Sequence, residues 1–139
     1  MQLSEELTRL FSLLGKVTSD YRRSTPLTRL EFQVIGRLLR TGDMRAGDLA
    51  QQEGLDQSTL SRRIASLVER GLVRRQADPS DRRAQVLQLT DAGKDAYDTE
   101  QARRVQLVTD AVAHWSSPDR AELARLLHEL NSALQRIHP

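Results

Sequence analysis

Cysteine is absent from this 139-residue chain, which excludes disulfides, thiolate nucleophiles and cysteine-based redox switching together. Long apolar runs are absent too, because no stretch approaches the ~18 residues of a membrane-spanning helix. The opening residues, MQLSEELTRL, are acidic and periodic, unlike those of a secretion signal. The sequence therefore predicts a cytoplasmic protein.

The motifs of common catalytic classes are also missing. The chain has no GxGxxG or GxxxxGKS/T phosphate loop, no GxSxG nucleophile turn and no HExxH zinc motif. Its histidines, His114, His128 and His138, share no ligand spacing such as i, i+4 on one helix. We therefore expect no enzyme activity, no cofactor and no metal, with the histidines at an interface or on the surface. A metal site assembled from separate helices is the alternative.

Length and composition indicate one globular domain. A chain of this length buries ~68–70% of the surface that it exposes when unfolded. Charged residues make up 29% of the sequence and hydrophobic residues 38%, which is too apolar for a disordered protein. No repeat, low-complexity tract or linker divides it, so residues 1–139 are predicted to form a single domain.

Basic charge is gathered in one central block, although the net charge is only +2. Residues 62–83 hold seven arginines against three acids, and residues 91–100 hold four acids against one lysine. Of the 21 basic residues only Lys16 and Lys94 are lysines, and arginine forks suit phosphates and guanine edges. An arginine-biased genome would explain the preference for arginine, but it leaves the clustering unexplained.

Two leucine seams lie near the ends of the chain. Each has the a/d spacing of a heptad repeat, over residues 3–21 and 123–137. Ser117 is predicted to cap the last helix, with Pro118 at its first position. We expect residues 1–23 and 91–138 to form dimerisation helices, in contact with a second copy through Leu3, Leu7, Leu10, Leu14, Leu123, Leu127, Leu130 and Leu134. The alternative is that both stripes are ordinary core.

A helix with clear start signals begins the central region. Thr28 and Glu31 form a capping box, and Leu27 with Phe32 forms a hydrophobic staple. The helix is predicted to run to about residue 40. A short helix then follows over AGDLAQQEG, although Arg45 at its cap position departs from the usual capping preference.

The third helix of this region presents a polar face. It is predicted to start at the cap Asp56 and to end before Gly71, which suits a left-handed position. At 100° per residue, its buried stripe is Leu60, Ile64 and Leu67, and small polar groups with Arg62 lie opposite. Three helices of this kind form a helix-turn-helix.

Two strands, residues 72–76 and 84–90, are predicted next, joined by the loop ADPSDRR. Thr90 then caps a long helix from Asp91 to about Trp115, with an apolar stripe at Val105, Val108, Val112 and Trp115. The predicted fold is mainly α with a small β-hairpin: a winged helix-turn-helix over residues 28–90, flanked by the dimerisation helices.

This arrangement predicts binding to double-stranded DNA. A helix about 10–12 Å across fits the major groove, which is about 12 Å wide, and a hairpin tip beside it reaches the minor groove. Arg83 is expected in the minor groove, aimed by the carboxylate of Asp81, and Arg82 at a phosphate. The alternative is a solvated turn. The predicted DNA-binding residues are Gln57, Ser58, Thr59, Ser61, Arg62, Arg63, Arg82 and Arg83, with Asp81 orienting Arg83.

These segments carry a family resemblance. DPSDRRAQVLQLTDAGKD resembles the wing signature of the MarR family, and LDQSTLSRRIASLVERGLVRR resembles the recognition helix of that family. The similarity in pattern covers nearly the whole chain. It implies a winged-helix homodimer that regulates transcription, commonly a repressor released from a pseudo-palindromic operator by a small, often phenolic or anionic ligand. By that match Arg83 is the minor-groove arginine, Asp81 its partner, and residues 58–62 the groove-reading surface.

Tyr21 and Phe32 are candidate ring contacts for a ligand, with core packing as the alternative for each. A winged-helix module that binds protein instead of DNA is the other functional hypothesis, and such a module needs no positive wing. Salt dependence of binding to random duplex separates the two, because a DNA binder loses affinity steeply with salt.

Overall fold

A computed structural model describes residues 2–20 and 27–137 of the chain. Within these ranges there are six helices and three strands. The helices are α1 (Gln2–Asp20), α2 (Arg29–Thr41), α3 (Ala46–Glu53), α4 (Gln57–Glu69), α5 (Asp91–Ala111) and α6 (Ser117–Ile137). The strands are β1 (Met44–Arg45), β2 (Val73–Asp78) and β3 (Asp81–Leu89). The predicted winged helix-turn-helix fold is confirmed.

The chain divides into two units, residues 1–101 and residues 102–139. The first unit holds the apolar core, which α2, α3 and α4 build together with the sheet. The predicted buried stripe of α4 is confirmed, since Leu60, Ile64 and Leu67 are each no more than 2% exposed. Of the helices in the described ranges, none is long and apolar enough to cross a membrane.

The three strands form one antiparallel sheet in the order β1-β3-β2. The hairpin strands are longer than predicted and leave only Pro79 and Ser80 between them, so most of the predicted loop is strand. The strand β1 was not predicted, because two residues carry no periodic pattern. It pairs Met44 with Leu87 and Arg45 with Val86, which adds the start of α3 to the edge of the hairpin.

Helix ends follow the local signals in most places. The capping box at Thr28 and Glu31, the Asp56 cap of α4 and the left-handed Gly71 are all present. The predicted boundary between the last two helices was wrong. Helix α5 ends at Ala111, and Ser116 caps α6 because its hydroxyl accepts the amide of Asp119 at 3.2 Å.

The start of α5 is fixed against the loop that follows α4. The hydroxyl of Thr90 accepts the amide of Gly93 at 3.0 Å and donates to the carbonyl of Gly71 at 2.7 Å. A Cβ added to Gly93 would lie 2.0 Å from the carbonyl oxygen of Leu72. The backbones approach so closely here that only glycine fits.

Replacing Gly93 by alanine should therefore lower the free energy of unfolding by about 3 kcal/mol or more, because backbone must move to make room. Gly15→Ala is the matched control, since nothing lies within 4 Å of a Cβ at that position of α1. It should be neutral or stabilise by roughly 0.5–1 kcal/mol, as alanine does in a helix. Urea unfolding of the two variants checks this, and equal stabilities would contradict the close approach.

Candidate nucleic-acid interface

The residues predicted to read DNA share one exposed surface of α4. Helical geometry puts Ser58 and Arg62 at the middle of the surface, opposite the buried stripe, with Thr59 beside them. Gln57, Ser61 and Arg63 lie at its edges. All of them are exposed, and we call this surface the reading face: Gln57, Ser58, Thr59, Ser61, Arg62 and Arg63.

The first turn of the reading face is held by Asp56. Its carboxylate accepts the amide of Thr59 at 3.1 Å, the hydroxyl of Thr59 at 3.2 Å and the hydroxyl of Ser58. The hydrogen bond from Ser58, followed by those from Thr59, lowers the pKa of Asp56. Both hydroxyl hydrogens are thus directed at the cap, so the two oxygens present lone pairs outward.

The last turn of α4 is fixed by an ion pair to a buried carboxylate, which the sequence did not reveal. Arg70 follows α4 and donates to Oε2 of Glu31 at 2.7 Å, and the Glu31 side chain is 3% exposed. The same oxygen accepts the amide of Thr28, 2.9 Å away, in the capping box of α2. One carboxylate therefore joins the start of α2 to the end of the reading helix.

A second carboxylate joins α2 to α3. Glu53, the last residue of α3, accepts hydrogen bonds from Arg37 and Gln33 on α2. Burial alone would raise the pKa of Glu53, but these hydrogen bonds outweigh it and lower the pKa. The three helices before the hairpin are thus cross-linked by charge as well as by the apolar core.

The hairpin ends in a tight turn, Asp78 to Asp81, with Pro79 at its second position. Ala77 pairs with Gln85, but Asp78 pairs with Asp81, so three residues of β3 have no partner on β2. Those residues are Arg82, Arg83 and Ala84. The two arginines are exposed and lie on this irregular stretch of β3 rather than in a loop.

Asp81 contacts Arg83 through the backbone amide and not, as predicted, through the guanidinium. Its Oδ1 accepts the amide of Arg83 at 3.0 Å. The spacing of two residues permits a contact between carboxylate and guanidinium, but it equally permits this side chain-to-backbone bond. The contact fixes the backbone that carries Arg83.

A further contact at the turn was missed entirely. Arg45 donates to Oδ2 of Asp78 from Nε at 2.7 Å and from Nη2 at 2.6 Å. Hydrogen bonds from Ser80 and then from Arg45 hold the pKa of Asp78 at about 2. The one signal in the sequence was the unusual residue at the cap of α3, where the Arg45 side chain makes no capping bond.

The residues predicted to mediate dimerisation lie on α1 and α6. Each is exposed or half-buried in the single chain, with Leu3 at 73% and Leu134 at 53%. The predicted valine stripe of α5 is exposed as well at Val105 and Val108. Exposed large apolar side chains of this kind are typical of surfaces that another molecule covers.

The remaining predicted residues have simpler surroundings. Phe32 stacks on Tyr97, with ring centroids 4.5 Å apart, and both pack against the core. Tyr21 and His138 lie outside the described residues. Within residues 2–20 and 27–137, no group of three or more acidic or histidine side chains is placed to hold a metal ion.

An exposed reading face beside a two-stranded hairpin defines the winged helix-turn-helix class, and comparison with known proteins specifies the family. The MarR family profile matches residues 27–84. The chain is 30% identical to the HTH-type transcriptional regulator YxaD of Bacillus subtilis over 128 residues, which is 92% of this chain and 90% of that protein. A second regulator from that organism, YdgJ, is 23% identical over 137 residues, covering 96% and 84% of the two chains.

The fold is shared with a MarR family protein from Bacillus stearothermophilus, at a TM-score of 0.84 and 20% identity, over 96% of this chain and 94% of the other. The family profile and the 30% identity to YxaD show that the protein belongs to the MarR family. It is a DNA-binding transcriptional regulator and not an enzyme.

The contact between Arg45 and Asp78 makes a prediction about pH. Because the pKa of Asp78 falls from 3.8 to about 2 on folding, its ionised form stabilises the protein above about pH 4. That contribution should be lost progressively as the pH falls from about 4 to about 2. A titration of the Asp78 carboxyl by NMR should give a midpoint near the lower value, and Arg45→Gln should raise it. A midpoint near 3.8 in the parent protein would contradict the contact.

Proposed function

We propose that the protein is a homodimeric repressor that binds a pseudo-palindromic operator and leaves it when a small aromatic or anionic ligand binds. The reading face would enter the major groove, and the arginines of the hairpin would enter or flank the minor groove. One observation carries this proposal. The reading face and the pair Arg82–Arg83 are both exposed, and they lie on one lobe, residues 28–90, whose helices and hairpin are joined by ion pairs. The protein would act in the cytoplasm, beside the DNA that it regulates.

The reading face has the chemistry to distinguish bases. Arg62 lies at its middle, and an arginine fork can donate to O6 and N7 of guanine. Ser58 and Thr59, whose hydroxyl hydrogens point at Asp56, offer lone pairs to the amino groups of adenine or cytosine. Arg63, at the edge of the face, is placed for a phosphate. Specific reading would thus come from residues 58–62 and general affinity from the edge.

The hairpin supports a minor-groove contact. Arg83 is exposed, and its backbone is fixed by Asp81, so the side chain starts from one defined position. Narrow minor grooves carry an enhanced negative potential that attracts arginine. The neighbouring Arg82, which is also exposed, would meet a phosphate.

Dimerisation is supported by the exposed apolar side chains of α1, α5 and α6. In the unit formed by residues 102–139, a cleft between α5 and α6 is lined by Val105, Val108 and Val112 on one side and by Leu123 and Leu127 on the other. Two of these residues belong to the predicted seam. We propose that a second copy covers this surface together with α1, as the family resemblance also implies.

The ligand-controlled step is supported by relatives of similar fold. One is BpsR of Bordetella bronchiseptica, whose DNA binding is regulated by 6-hydroxynicotinic acid, with a TM-score of 0.66 and 22% identity over 94% of each chain. A MepR-like protein has been crystallised with pseudoligands. A panel of small aromatic acids, added to the protein on a duplex selected from a random pool, tests this step. Release by none of them would argue against control by this class of ligand.

Arg62→Ala should weaken operator binding by ~1–3 kcal/mol and relax the preference at one base position, because it removes a fork on guanine. Arg63→Ala is the matched control, since it removes the same charge from the edge of the reading face. It should weaken all sequences alike and reduce the salt slope by about one unit. Selection of bound duplexes with each variant separates them. An even loss of affinity for Arg62→Ala would place that residue at a phosphate.

Leu130→Asp should turn the protein into a monomer, because it puts a charge in the seam of α6. Leu130 is 46% exposed in the single chain, so the charge itself is tolerated unless a second copy covers it. Gln135→Asp adds the same charge to another side of the helix and should leave the dimer intact. Sedimentation at micromolar concentration measures both. A folded monomer in the parent protein would contradict the proposal.

A further inference from the structure

Arg45 is the N-cap residue of α3, a position where the side chain ordinarily accepts a hydrogen bond from the first turn of the helix. Its backbone is the cap of that helix, in extended conformation, but the side chain makes no capping bond. The guanidinium instead crosses to the turn of the hairpin and gives two hydrogen bonds to Oδ2 of Asp78, 33 residues further along the chain. The backbone of Arg45 also pairs with Val86 of β3. Arg45 therefore touches the hairpin twice, once at mid-strand and once at the turn.

Asp78 uses both of its oxygens. Oδ2 accepts from Arg45, while Oδ1 accepts the amide of Ser80 at 2.9 Å and its hydroxyl at 2.7 Å. The side chain is 10% exposed, although it sits at the end of a surface hairpin. Charge-assisted bonds of this kind are among the stronger hydrogen bonds in proteins. A single carboxylate thus shapes the turn and attaches it to the start of α3.

The ion pair between Arg45 and Asp78 lies at the point where regular pairing between β2 and β3 ends. Asp78 is the last residue of β2, and residues 82–84 of β3, which follow its partner Asp81, have no partner on β2. Pairing between β2 and β3 therefore does not hold the residues Arg82 and Arg83 in place. The ion pair from Arg45, the cap residue of α3, links this turn to that helix.

We propose that Arg45 and Asp78 form a wing brace, a pair of positioning residues that sets where Arg83 meets the minor groove. The proposal rests on the minor-groove role of Arg83 given above. A hairpin held in place loses less conformational entropy on binding, and its arginine meets only grooves of the matching width. Without the brace, the tip would adapt to wide and narrow grooves alike. The brace therefore determines the preference for the bases that flank the major-groove site, through the width of their minor groove.

Two variants, one isosteric and one that shortens the side chain, separate this role from simple electrostatics. Arg45→Gln removes a positive charge, and Asp78→Asn removes a negative charge while its amide oxygen keeps an acceptor for Ser80. If only charge matters, the first should weaken DNA binding and the second should strengthen it. If the brace matters, both should act in the same direction on the preference for flanking sequence.

The experiment measures two dissociation constants at fixed salt, one for a G·C-flanked duplex and one for an A-tract-flanked duplex. The ratio is the first constant divided by the second, so a preference for the narrow groove raises it. Both duplexes carry one selected operator, flanked by an A-tract with a narrow minor groove or by G·C pairs. We expect Arg45→Gln and Asp78→Asn each to move this ratio towards the value given by Arg83→Ala, and the double variant to add nothing further. Arg45→Lys, which keeps the charge but not the fork, should restore the ratio only in part. Thermal melting of each variant shows that the lobe remains folded.

Two results would overturn the wing brace. A third would overturn the minor-groove role of Arg83, on which the wing brace rests. If Arg83→Ala lowers the ratio but Arg45→Gln and Asp78→Asn do not, the brace has no positioning role. If Arg45→Gln weakens both duplexes equally while Asp78→Asn tightens both, Arg45 is a direct phosphate contact. If Arg83→Ala itself leaves the ratio unchanged, the minor-groove role of the hairpin fails, and the brace fails with it.

Discussion

The buried carboxylate of Glu31 is the interaction on which the DNA-binding lobe depends. Its Oε2 accepts the amide of Thr28 and the guanidinium of Arg70, which joins the start of α2 to the end of α4. Removing either partner would leave this buried carboxylate less well satisfied and would destabilise the lobe. Immediately after Arg70, the carbonyl of Gly71 accepts the hydroxyl of Thr90, which starts α5. The segment Arg70–Gly71 at the end of α4 therefore contacts the starts of α2 and α5. These contacts fix the direction in which the reading face points.

Charged side chains in this lobe divide into two groups with different tasks. Arg37, Arg45 and Arg70 are committed to carboxylates, and they hold α2, α3, α4 and the hairpin together. Arg62 and Arg83 are exposed and stand on elements that those pairs fix. A regulator that reads DNA needs both groups, because an exposed arginine discriminates between sequences only when its starting position is defined.

The features that the sequence predicted well are local ones. The capping box at Thr28, the Asp56 cap and the left-handed Gly71 each depend on residues within a few positions, so a single sequence reveals them. The arginine cluster predicted a basic surface, but it did not reveal that Arg70 forms an ion pair with Glu31. That pair, like Arg45 with Asp78, joins residues more than 30 positions apart, and charge alone does not select one partner among many. The two-residue strand β1 is too short for any pattern, and the boundary between α5 and α6 depended on a choice between two adjacent serines.

We propose that α4 and the hairpin read two adjacent grooves of the same duplex. Footprinting of the protein on a duplex selected from a random pool tests it most directly, with methylation of guanine N7 for the major groove and hydroxyl radicals for the minor groove. We predict major-groove protection in the middle of each half-site, minor-groove protection beside it, and half-sites separated by about one helical turn or a multiple of it. Major-groove protection with freely cleaved minor grooves on both sides would contradict the claim.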